Sequence, residues 1–186
     1  MQPSKHLPEL PFEKTLRPGQ RRVIAALPEN KKLNVKLPTG YGKTRAFVAA
    51  FAKLKQAGRA NRLLVIVPTD NQLRQFVEDG PRELQRMGIS NPVSVCDVRY
   101  YKTEAVRQHR NNTCQVYVTT IQSLIGGRTS EIVGCLMQTG RWLVVVDEYH
   151  HYGVEKSWGK RVLELPCEFI LALSATPGRP DDLEKQ

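Results

Sequence analysis

Six short apolar runs recur along this chain, at 33–37, 63–67, 93–96, 115–119, 142–146 and 169–173, each bounded by polar or turn residues. Between them lie stretches such as 44–57 and 71–86, in which apolar positions fall three and four residues apart. Strand-length runs alternating with amphipathic helices predict parallel strands joined by right-handed crossovers, with helices on both faces of the sheet. Leu143-Val144-Val145-Val146 shows no polar alternation, as expected of a parallel strand buried on both sides. With 186 residues, 40% of them hydrophobic, the chain can build one sizeable core. The expected fold is therefore α/β, a mainly parallel sheet of about six to seven strands.

The first strand runs directly into Leu37-Pro38-Thr39-Gly40-Tyr41-Gly42-Lys43-Thr44, and a helical pattern opens at its end. A strand, a glycine-rich turn and a helix in that order are the context a phosphate-binding loop needs, although a glycine-rich turn with an incidental lysine shares it. Glycines at 40 and 42 let backbone N–H groups close around phosphate oxygens. The helix start contributes its positive dipole end, Lys43 a mobile charge for the β and γ phosphates, and Thr44 a hydroxyl for Mg²⁺. The strict pattern asks for glycine at position 37, where this chain has leucine.

The most hydrophobic run ends in Asp147-Glu148-Tyr149-His150. Carboxylates at the C-terminal edge of a parallel sheet stand where ligands bind. Asp147 there can hold a metal through water, and Glu148 can orient or deprotonate an attacking water. The last run ends in Ser174-Ala175-Thr176-Pro177.

Taken in order, PTGYGKT, DEYH and SATP resemble the first RecA-like domain of superfamily 2 helicases, nearest the DEAH-like and restriction-enzyme-type groups. The resemblance covers about residues 16–177. It implies ATP and Mg²⁺ as cofactors, with Lys43, Asp147 and Glu148 catalytic and Thr44 and Asp147 on the metal. It also implies a nucleotide site of Arg17, Gln20, Thr39, Gly40, Tyr41, Gly42, Lys43 and Thr44. Within it Gln20 would read the adenine edge, since a side-chain amide carries the donor and acceptor that adenine N6 and N7 require. Often an aromatic residue stands where this chain has Gly19. His150, Ser174 and Thr176 would couple nucleotide state to domain geometry. Thr69, Gln72 and Arg74, with Thr119 and Thr120, resemble segments that touch a nucleic-acid backbone, a kind of contact that carries no base information.

The charge distribution agrees with a polyanionic partner. Net charge is +10, and residues 1–62 hold 14 Lys and Arg against 3 Asp and Glu, so the basic excess is N-terminal. Four cysteines, at 96, 114, 135 and 167, form no CxxC pair, so neither zinc nor a disulfide framework is signalled. No apolar run reaches membrane-span length and no signal peptide opens the chain, so a cytoplasmic protein, or a nuclear one in a eukaryote, is expected.

Three segments follow: an N-terminal tail at 1–15, an ATP-binding RecA-like domain at 16–177, and at 178–186 the start of a linker to a second RecA-like domain. The leading expectation is the ATP-binding half of a nucleic-acid motor, on DNA in preference to RNA, nearly inactive without that second domain. The alternative is a nucleic-acid or protein-binding module in which nucleotide acts as a switch without productive turnover.

Overall fold

The computed structural model describes residues 7, 9–89, 95–99, 102–125, 127–148 and 161–176, the side chains of 102–104, 110 and 176 excepted. Its strands are β1 (Lys32–Pro38), β2 (Arg62–Val67), β3 (Val95–Asp97), β4 (Val116–Thr120), β5 (Trp142–Val146) and β6 (Phe169–Thr176). Among the described residues they form one sheet in the order β1-β6-β5-β2-β4-β3, and every neighbouring pair is parallel. Each of the six expected runs contributes a strand, positions 93 and 94 of the third lying outside the described residues, and the last continues past position 173 to Thr176.

The helices are α1 (Pro18–Ala26), α2 (Lys43–Gln56), α3 (Asp70–Arg86), α4 (Lys102–Arg110), α5 (Ile121–Ile125) and α6 (Gly127–Leu136). On one face Leu63, Val65, Val118, Leu143, Val145 and Leu171 pack with Phe47 and Phe51 of α2 and Leu73 and Phe76 of α3. On the other, Leu64, Ile66, Tyr117, Val144 and Val146 meet Ile121, Leu124, Val133 and Leu136 of α5 and α6. Alternate residues of the central strands thus enter two different cores, which is why their sequences are apolar without interruption.

β1 is different. Among the described residues it closes one edge of the sheet, and Lys32, Asn34 and Lys36 are exposed while Leu33 and Val35 are half-buried. Beside it, Arg17, Arg21 and Arg22 of the α1 region and Lys31 are exposed as well. Six of the fourteen Lys and Arg of residues 1–62 therefore lie along this edge. α3, which follows β2, starts nearer the middle of the sheet.

Part of the expected tail is tied to the domain. A 3-10 turn at Pro11–Thr15 lays Leu10 and Glu13 against the body of the protein, both buried. The Glu13 carboxylate accepts from Lys53 Nζ of α2 at 2.7 Å and from the Leu10 amide at 3.0 Å. Both side chains of the ion pair are about nine-tenths buried, at 9% and 10% exposure. Packed structure therefore extends outward from residue 16 to about Leu10.

Of the four cysteines, Cys96 and Cys114 are buried, Cys167 is half-buried and Cys135 is exposed. Burial pushes the Cys167 thiol up to about 11.

A buried pair is destabilising to break and close to neutral to replace whole. Glu13→Gln should cost about 3 kcal/mol by leaving Lys53 without its counter-charge, whereas Glu13→Leu with Lys53→Met should fall within about 1 kcal/mol of the parent. Urea unfolding of the three chains measures both values.

Candidate functional site

The register of the sheet assembles the site. Leu37 pairs with Ala175 and Pro38 with Thr176, while Val146 pairs with Ala172, so β1 and β6 end together and β5 stops beside β6 four residues short of Thr176. Leu37 is a core residue at 2% exposure and the turn begins only after Pro38. This accounts for the leucine at the position where the strict motif has glycine: the residue is still strand, and its side chain fills the core.

The turn folds as its glycines allow. Tyr41 N–H donates to Pro38 O at 3.1 Å, and Gly40 and Gly42 sit at φ +76° and +84°, the left-handed region. A Cβ at Gly40 would meet open space, whereas one at Gly42 would lie 2.8 Å from Gln20 Nε2. Lys43 then opens α2, so the turn delivers the lysine at a helix N-terminus.

Lys43 Nζ reaches across to β5. It lies 3.6 Å from Asp147 Oδ1 and in direct ion-pair contact with Glu148 Oε1. The three side chains are 13–17% exposed, so the charges are largely screened from water by one another and by the fold. Glu148 adopts φ +53°, uncommon for a residue with a side chain. Its amide donates to Asp147 Oδ1 at 3.0 Å, and its Oε2 accepts from Ala175 N at 3.1 Å. One carboxylate thus joins the lysine of the turn to the backbone of β6.

These groups line a cleft of about 570 Å³, with Thr39, Gly42, Lys43, Thr44, Asp147 and Glu148 toward the sheet and α3 along its far side. That volume falls in the range of small-molecule sites. Arg45 lines the same cleft and donates through Nη2 to Thr15 Oγ1 at 2.9 Å. Local pattern does not single out Arg45, whose one signal in the sequence is its position directly after Thr44. A cation, a hydroxyl, two carboxylates and a helix N-terminus around one cleft can hold a polyphosphate and activate a water beside it.

The other expected nucleotide contacts are distributed differently. Arg17 is exposed, lies 5.3 Å over the Tyr41 ring and reaches Gly40 O at 3.4 Å. The Tyr41 side chain does not face the cleft: it is 1% exposed, and its hydroxyl accepts from the Gly19 amide at 2.9 Å. A Cβ at Gly19 would press on that ring at 2.9 Å, so the loop tyrosine itself supplies the aromatic packing expected at position 19. Gln20 is buried behind the loop, with Nε2 donating to Tyr41 O and Gly42 O and Oε1 accepting from Arg17 N.

Of the expected nucleic-acid contacts, Thr69 caps α3: its Oγ1 accepts from Gln72 N at 3.3 Å and donates to Gln72 Oε1 at 3.0 Å. Pro68, Thr69, Gln72 and Glu148 line one shallow depression, and Arg74 is exposed one turn on. Thr119 and Thr120 do not present hydroxyls to solvent. They end a central strand at 0% and 2% exposure, and Thr120 Oγ1 is engaged with the amide and hydroxyl of Ser123. A further link that local pattern did not signal joins β3 to α3: Arg99 bonds both oxygens of Asp97 and pairs with Asp70. The Asp97 hydrogen bond, ahead of the Asp70 one, holds Arg99 above its ordinary range against the lowering effect of burial. Ser174 is buried at 2%. His150 lies outside the described residues, and of Thr176 only the backbone is described.

Known proteins match this arrangement. The family described as type III restriction enzyme, res subunit, matches residues 13–179. An ATP-dependent DNA helicase RecG from Acidithiobacillus ferridurans is 27% identical over 185 residues, taking in 93% of this chain and 24% of the relative. The chain therefore spans about a quarter of the length of that curated relative. Among solved structures, the DUF1998 helicase MrfA aligns with TM-score 0.66 at 21% identity, covering 94% of this chain and 30% of its own. A Sulfolobus solfataricus SWI2/SNF2 ATPase core in complex with dsDNA aligns with TM-score 0.64 at 18% identity, covering 95% and 34%. At these identities the structural likeness establishes the α/β RecA-like fold.

The two glycines of the turn should respond unequally to a methyl group. Gly40→Ala carries only its left-handed φ and should cost about 1 kcal/mol, while Gly42→Ala must also displace Gln20 and should cost about 2–3 kcal/mol. Chemical denaturation of both variants reads the difference, and equal costs would show that the Gln20 contact is slack.

Proposed function

The chain belongs to the type III restriction enzyme res-subunit family, as a first RecA-like domain of the superfamily 2 helicase type, and from that premise we propose that it is the ATP-binding half of an ATP-dependent nucleic-acid helicase or translocase. The observation that carries this reading is the contact of Lys43 with Asp147 and Glu148 at the head of the loop helix, joined to β6 through Ala175.

A triphosphate entering the cleft meets the amides of the turn, the α2 dipole and Lys43. Its oxygens compete with Asp147 and Glu148 for the lysine ammonium, and as Lys43 turns toward them both carboxylates are released for other work. Glu148 can then accept the proton of an attacking water, and Asp147 remains for the cation that accompanies nucleotide. Thr44 and Asp147 would hold Mg²⁺, since hydroxyl and carboxylate oxygens are the donors that ion takes; it would neutralise charge on the β and γ oxygens. The Glu148–Ala175 bond gives β6 a direct sense of where that carboxylate is. Through it, and through His150, Ser174 and Thr176, phosphate state would pass to the rest of the motor.

A second RecA-like domain in the same polypeptide would face this cleft and complete the charge stabilisation with an arginine, a group worth about 10³ to 10⁵ in rate in related phosphoryl transfer. The RecG relative is named as acting on DNA, and the partner proposed here is likewise a DNA backbone in preference to RNA. Thr69, Gln72 and Arg74 at the α3 N-terminus would contact its phosphates. Thr119 and Thr120 would join them only through the backbone or after rearrangement, because their hydroxyls are buried.

Calorimetry with ADP and ATP in the presence of Mg²⁺ should give weak binding by this chain and none by Lys43→Ala, with hydrolysis near background in both. Equal heats in the two proteins, or turnover that nucleic acid stimulates and Glu148→Gln abolishes, would sink the nucleotide assignment or the two-domain argument respectively.

Binding of a labelled oligonucleotide should be weak, indifferent to base sequence and steeply reduced by salt. Arg74→Ala should weaken all sequences alike and reduce the salt slope by about one unit. A sequence preference that Arg74→Ala leaves untouched would favour a binding module over a motor.

A further inference from the structure

Gln20 occupies the position at which a side-chain amide is expected to read adenine, and its polar atoms are already committed elsewhere. Nε2 donates to the carbonyls of Tyr41 and Gly42, each at 3.0 Å, and Oε1 accepts the Arg17 amide at 2.9 Å. An amide nitrogen carries two hydrogens, and both are used. Turning the amide over is not an alternative: it would set an oxygen against two carbonyl oxygens and an NH₂ against an N–H. The residue is 2% exposed, and the space between its nitrogen and Gly42 would not admit a methyl group. The two carbonyls it holds belong to Tyr41 and to Gly42, the left-handed residue from which α2 and Lys43 start.

We infer that Gln20 is a positioning residue of the phosphate loop and not a base reader, so that this domain takes nucleoside triphosphates by their phosphates with little preference among bases. The inference rests on the nucleotide reading above and widens its ligand class from ATP to purine and pyrimidine triphosphates and inorganic tripolyphosphate. The exposed group on this side of the loop is Arg17, whose guanidinium lies over the Tyr41 ring. A planar cation of that kind stacks on any base, because every base has a π face.

The test uses the intact 186-residue chain with Mg²⁺ and a fluorescent ATP analogue, displaced in turn by ATP, GTP, CTP, UTP and tripolyphosphate. The four nucleotides should agree to within about threefold and tripolyphosphate should compete, whereas an amide reading adenine would favour ATP by about tenfold for each base hydrogen bond. Gln20→Glu keeps the acceptor for the Arg17 amide and loses both donors. It should weaken all four nucleotides by a common factor of about ten while thermal unfolding reports a folded chain. A role confined to stability would lower the unfolding midpoint and leave the affinity of the folded protein unchanged. An ATP preference beyond tenfold that Gln20→Glu abolishes, with GTP binding unaltered, overturns the inference alone. Binding of neither nucleotide nor tripolyphosphate overturns the nucleotide reading and the inference with it. Should Gln20→Glu fail to fold, the panel on the unaltered chain still decides.

Discussion

One ammonium group held between two carboxylates organises this end of the molecule. Lys43 touches Asp147 and Glu148 across three strands, a contact that follows from β6 lying between β1 and β5, with β1 and β6 ending together and β5 ending opposite Ala172 so that the two carboxylates come next in the chain. Three charges this far out of water are costly to assemble, and removing the lysine would leave two carboxylates facing each other. That cost is tolerable where a more highly charged ligand can take the lysine over. On the function proposed here the ion pair is a resting arrangement, in which the Ala175 and Asp147 bonds accompany the left-handed conformation of Glu148.

What the sequence made legible was whatever leaves a local periodic trace. The strands β2, β4 and β5 are apolar without break because both their faces are covered, and 44–57 and 71–86 carried the three-and-four spacing that became α2 and α3. The strand–turn–helix order likewise announced the loop. Its departure at Leu37 turned out to be a question of where the strand stops, since pairing with Ala175 keeps that residue in the core.

Interactions between polar atoms distant in the chain left no such trace. Gln20 looked like a ligand-facing amide because its neighbours matched a known order. That its donors meet carbonyls 21 and 22 residues away depends on how α1 packs against the loop. The same holds for Glu13 with Lys53, 40 positions apart, and for Tyr41 lying in the gap that Gly19 leaves. The hydroxyls of Thr119 and Thr120 seemed available from residue type alone, whereas both residues are buried and Thr120 Oγ1 is taken up by Ser123 of the helix that follows β4 directly.

The exposed strand β1 bears on how this protein behaves in concentrated solution. Among the described residues it ends the sheet, so its outward backbone groups form a template onto which a second chain could hydrogen-bond, with half-buried Leu33 and Val35 adding an adhesive row. Lys32 and Lys36 alternate with them, and a copy approaching in register would bring like charges together at strand spacing. Two like charges in that position oppose self-association, and neutralising them would leave the edge more prone to stacking strand on strand.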